Sequence, residues 1–257
     1  MLSPPSCYNL FWNNFFDFDV PKINLNFIER TIEDIKETLG LQVYPPENLK
    51  IIYVPQLSGK SSEFVRGKYF PLQKVIALSN KGCRKTLIHE LLHSFSSFLR
   101  IPALYEKVKK ESYLIDGLTE FLTGYVLFTK YHDCYEKWID EFSFCALSYK
   151  PYVKIFGATA QVIIPIEDLA EIYIYNPHRD WFNLYDNFLR EYGLEDFLIE
   201  KPKKRKKISS DNLFLNTIKM VIRNRFGQEK LNEFNDLLKE APITEVLDYS
   251  KMLKKIF

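Results

Sequence analysis

Thr86-Leu87-Ile88-His89-Glu90-Leu91-Leu92-His93-Ser94-Phe95 is the stretch around which the rest of the chain arranges itself. Side chains four apart in an α-helix share a face, with Cβ atoms roughly 5–6 Å apart, so a helix here offers the His89 and His93 imidazoles to a single metal ion. Two imidazoles with one carboxylate suit zinc and leave a fourth position for water, whose pKa falls to about 7 on binding. A carboxylate beside that water takes its proton and hands it to a leaving amine, the role in which the spacing casts Glu90. Thr86, Leu87, Ile88, Leu91, Leu92 and Phe95 carry no charge, which predicts a helix buried on most of its surface.

A third ligand is needed, and the sequence beyond the helix supplies candidates. Arg100-Ile101-Pro102 breaks the chain, a charged segment follows, and then comes Tyr113-Leu114-Ile115-Asp116-Gly117-Leu118-Thr119-Glu120-Phe121-Leu122-Thr123-Gly124-Tyr125. Asp116 and Glu120 lie one helical turn apart and face the same way. They stand 22 and 26 intervening residues beyond His93.

Upstream, Leu25, Ile28, Ile32, Ile35 and Leu39 recur at helical spacing before Gly40, which predicts a first amphipathic helix over residues 24–39. Residues 49–54 and 74–79 are β-branched runs and read as strands. The Ser-, Gly- and Lys-containing residues 56–70 between them read as a long loop of the kind that often carries binding function. Residues 1–23, with Leu10, Phe11, Trp12, Phe15, Phe16 and Phe18, read as an irregular aromatic arm laid across a core.

The two half-sites together resemble the gluzincins, zinc metallopeptidases with HExxH on one helix and a glutamate ligand on the next. The second is similar to the (E)G-x-x-E-(F/Y) pattern of bacterial collagenases and related peptidases, in which the first acid binds zinc and the acid four residues later supports a ligand histidine. The resemblance implies His89 and His93 as zinc ligands and Glu90 as general base, with Gly117, Glu120 and Phe121 matching. Asp116 falls where the family has its glutamate ligand and is one methylene shorter. Either Asp116 binds zinc and Glu120 holds a histidine in its tautomer, or Glu120 reaches the metal and Asp116 supports; Gly117 after Asp116 favours the first. The architecture implied is an α+β zincin-like core, a small mixed sheet plus metal-site helices, with a largely helical C-terminal half. In it the strand before the metal helix borders the cleft and pairs with an extended peptide, which assigns Val75, Ala77 and Ser79 to substrate binding.

A donor across the cleft is also required to stabilise the tetrahedral oxyanion. His178, in a loop between helical segments, is the first candidate, followed by Tyr125 and Tyr131. The aromatic, helically patterned residues 131–200, including Trp138, Tyr173 and Trp181, read as a lower subdomain whose aromatics pack.

Residues 201–257 hold 14 Lys/Arg against 7 Asp/Glu, leaving 21 against 26 for the rest, so the basic excess is entirely C-terminal. Within it, Lys201-Pro202-Lys203-Lys204-Arg205-Lys206-Lys207 forms a basic linker suited to nucleic acid or an acidic partner, ahead of a helical tail. The expected organisation is thus a core with its arm over residues 1–130, the lower subdomain over 131–200, and linker and tail over 201–257. Cys7, Cys83, Cys134 and Cys145 lack CxxC spacing, no secretory leader is recognisable, and no window is long and apolar enough to span a membrane, which together predict an intracellular protein. The functional expectation is a zinc-dependent peptidase acting on peptide or protein. Its rival is a catalytically inactive zincin-fold scaffold that binds nucleic acid or a protein through the basic region.

Overall fold

The computed structural model describes residues 25–42, 44–54, 57–58, 64–79, 84–96, 112–131, 146–163, 165–175 and 210–253. The aromatic arm, His178 and the basic run at 201–207 lie outside the described residues. Of the predicted stripe, helix α1 (Leu25–Leu39) buries Ile28, Ile32, Ile35 and Leu39 and leaves Leu25, at its first position, exposed. It stops at Gly40, whose φ of 64° lets the Leu41 amide reach back to the Lys36 carbonyl at 2.9 Å. Glycine accepts this left-handed cap because it has no Cβ to clash.

Five strands follow: β1 (Lys50–Val54), β2 (Leu57–Ser58), β3 (Phe64–Val65), β4 (Gly67–Phe70) and β5 (Val75–Ser79). β5 lies between β1 and β4, parallel to β1 and antiparallel to β4, with Ile51 and Tyr69 both opposite Ile76. β2 and β3 form a separate two-stranded ladder. The expected long loop at 56–70 therefore contains three short strands. Gly67-Lys68-Tyr69-Phe70 has no β-branched residue to announce it; pairing with β5 is what holds it extended. The turn between β4 and β5 closes on Lys74, at φ 52°, whose amide reaches the Pro71 carbonyl at 3.3 Å.

Helix α2 (Arg84–Phe95) carries the histidines and packs on β4 and β5 on one side and on α3 (Ser112–Tyr131) on the other. Leu87, Ile88, Leu91, Leu92 and Phe95 are all buried, as the uncharged flanks predict. α3 also rests on α4 (Ala146–Val162) and meets it at Gly117, where an added Cβ would overlap the Tyr152 Cβ. Helix α5 (Ile166–Tyr175) crosses near α1 and α3.

The C-terminal elements are α6 (Ser210–Lys239), broken at Gly227, then α7 (Ile243–Val246) and α8 (Tyr249–Leu253). Val153, Phe156 and Ala160 of α4 join the core around α2 and α3, whereas Ile155, Ala158 and Val162 pack with Ile218, Ile222, Phe234 and Val246. Gln161 Nε2 donates to the Glu245 and Val246 carbonyls, each at 2.8 Å, and the Tyr249 hydroxyl donates to the Phe121 carbonyl at 2.9 Å. The tail is thereby fastened to the helices that shape the site. The architecture is mixed α+β, with a small three-stranded mixed sheet and mostly helix. Among the described residues no helix is long and apolar enough to cross a membrane.

Candidate metal centre

Crossing of α2 by α3 brings together three atoms that could ligate a metal ion. His89 Nε2 and His93 Nε2 stand 3.1 Å apart with their rings edge to face. Asp116 Oδ1 is 3.2 Å from His93 Nε2, and all three ligand atoms lie within 4.8 Å of one another. Asp116 is the most accessible of the three, with 22% of its side chain exposed.

Glu120, the other acid read as a ligand, is not in this group. One of its oxygens accepts from His89 Nδ1 at 2.9 Å, and the other is in ion-pair contact with the Lys85 ammonium. The physical reason is helix geometry: four residues of α3 rise about 6 Å, so with Asp116 at the Nε2 side of the rings, Glu120 meets the opposite edge of His89. Burial works to raise the Glu120 carboxyl, but Lys85 and His89 outweigh it and hold the group down at about 2. An ionised carboxylate only accepts, so His89 carries a proton on Nδ1, and it is the neutral ring that leaves Nε2 bare. Burial alone would lower the His89 pKa; Glu120, Glu90 and Asp116 overcome this and raise it.

In the neutral ring, Nε2 of His89 is an acceptor like the Asp116 oxygen, and both are turned toward His93 Nε2, an arrangement that a shared cation satisfies. Two imidazole nitrogens and a carboxylate oxygen fit zinc by donor type. Glu90, 7% exposed, lies between α2 and β4. Burial pushes its carboxyl up, Asp116 adds to the rise, and the histidines and the Tyr69 amide oppose it.

Three side chains at the site were not singled out from the sequence for this role. Lys85 stands four residues before His89, and its helical spacing was the available signal. Thr119 sits one turn after Asp116 on α3. Tyr173, read only as a packing aromatic, places its hydroxyl 3.1 Å from His93 Nδ1 across 80 residues of chain, and no local pattern announces it.

Val75, Ala77 and Ser79 require a correction. They belong to the interior strand, paired on both edges, so β5 has no free edge on which to add a peptide. The edge beside Glu90 is β4, where an added Cβ on Gly67 would lie 3.1 Å from Glu90 Cγ and overlap Thr86 Cγ2. The Ser79 amide donates to the Arg66 carbonyl at 2.8 Å, and antiparallel alternation then turns the backbone groups of Gly67 and Tyr69 away from β5.

No protein family, curated protein or solved structure matches the chain. Tyr125 and Tyr131 are engaged away from the ligand cluster, 9 and 15 residues beyond Asp116 on α3. The Tyr125 hydroxyl donates to Glu167 at 3.2 Å, and the Tyr131 hydroxyl donates to Asp34 at 2.5 Å beneath the Arg84 guanidinium. Neither is placed to serve as the oxyanion donor.

Proposed function

We propose that the chain is a zinc-dependent metallopeptidase of gluzincin type built on a zincin-like core. The observation carrying this proposal is the convergence of His89, His93 and Asp116 within 4.8 Å, with buried Glu90 next to them on α2. The two Nε2 atoms and the Asp116 carboxylate would hold Zn2+. When bound, the ion supplies Lewis-acid polarisation of a carbonyl and acidifies water.

The protein's own groups do the rest. Glu90 accepts a proton at its carboxylate and returns it to the leaving amine; burial, which raises its pKa, favours the protonated form in between. Glu120 fixes the His89 tautomer, and Lys85 fixes Glu120. The outward edge of β4 at Gly67 receives an extended peptide as an added strand, in place of β5.

Elemental analysis of zinc-supplied protein should find about one zinc per chain. Glu90→Gln should retain that zinc yet cleave a generic peptide library at least about a hundredfold more slowly. A protein that takes up no zinc, or a Glu90→Gln variant as active as the native protein, would overturn the proposal.

A further inference from the structure

Counting protons from a backbone carbonyl outward gives the second histidine a direction. Thr119 Oγ1 is 2.8 Å from the Ile115 carbonyl, which only accepts, so the Thr119 proton goes there. The Tyr173 hydroxyl is 2.7 Å from Thr119 Oγ1, the usual separation for O–H···O, and donates its proton to that oxygen. The Tyr173 oxygen is then left as an acceptor 3.1 Å from His93 Nδ1, within the range of N–H···O. Thr119 Oγ1, at 3.4 Å from the same nitrogen, is the more distant neighbour.

We infer that Tyr173, with Thr119 behind it, is a positioning residue that holds a proton on His93 Nδ1 and so presents Nε2 to a metal ion shared with Asp116 and His89. This rests on the metal-site reading above and extends it to α5. Both histidines are then set by neighbours of opposite kinds, His89 by an ionised carboxylate and His93 by a neutral hydroxyl pair. Tyr173 suits the task because it is fully buried and held along its length: its carbonyl accepts from the Ser96 hydroxyl at 3.2 Å. Burial also pushes its phenol well above the ordinary range, so it remains a neutral hydroxyl. The ring thereby connects α5 to the C-terminal end of α2, and a helix distant in sequence becomes part of the metal site.

The test compares Tyr173→Phe, Thr119→Val and Thr119→Ser with the native protein, using zinc affinity by chelator competition and the imidazole 1H–15N spectrum. Tyr173→Phe should weaken zinc binding about tenfold or more and remove the protected His93 Nδ1–H signal. Thr119→Val should act in the same direction, because the Tyr173 proton then turns to His93 Nδ1; Thr119→Ser should restore both readouts. A merely structural role would not shift the imidazole proton or respond to one hydroxyl. Affinity within twofold of native in both Tyr173→Phe and Thr119→Val, with unchanged imidazole signals, overturns the inference. Should the native protein bind no zinc, the peptidase proposal falls, and the metal-free spectrum still tests the relay: a hydrogen-bonded proton on His93 Nδ1 supports it and the absence of one there refutes it.

Discussion

Replacing Lys85 with methionine keeps the buried stem and removes the charge that Glu120 faces. The two side chains are 8% and 7% exposed, so water screens the pair little. Holding Glu120 at about 2 instead of 4.5 corresponds to about 3 kcal/mol, and among the causes that lower it the Lys85 charge comes first. Without that charge, burial is opposed by His89 alone, and breaking a buried pair by deleting one partner costs about 3–5 kcal/mol. The depressed carboxyl stabilises the fold in full above about 4.5, and this stability is lost as pH falls through about 2. In the variant the Glu120 carboxyl rises and takes a proton sooner. The expected deficit is therefore about 3 kcal/mol at pH 7, shrinking as the medium is acidified toward pH ~4. Urea unfolding of metal-free native protein and Lys85→Met at stepped pH measures it directly. Adding Glu120→Gln to Lys85→Met should recover most of the loss, because no buried charge is then stranded. A deficit below about 1 kcal/mol at neutral pH, or one that does not change with pH, would refute this account of the pair.

The two acids of α3 should separate cleanly by metal content. Asp116→Ala should lose zinc, while Glu120→Gln should keep it with affinity about 10–100-fold weaker; loss in Glu120→Gln alone would reverse their roles. Gly67→Ala should cost about 1–3 kcal/mol through overpacking, because its Cβ would overlap Thr86 Cγ2 and approach Glu90 Cγ. Thermal unfolding checks it, and Thr86→Ser, which removes that methyl, should return much of the loss.

Helical periodicity made the histidine helix legible, since residues three and four apart on α2 meet whatever surrounds them. His89, Glu90 and His93 could thus be grouped, and the buried faces of α1 and α2 anticipated, before any tertiary contact was known. The same local physics placed Asp116 and Glu120 on one face of α3 but could not choose between them, because the choice depends on how far along α2 that helix crosses. Strand order was likewise hidden: β4 has no distinctive composition, and an interior strand differs from an edge strand only in what pairs beside it. Tyr173 marks the limit, reaching His93 from 80 residues away. The sequence by itself determined a helix bearing two imidazoles and an acid, and a second helix bearing two further acids. Tertiary structure alone decided which acid faces the imidazoles, which strand borders Glu90 and which hydroxyl orients His93, because those contacts arise from burying separate elements against one another and carry no short-range spacing.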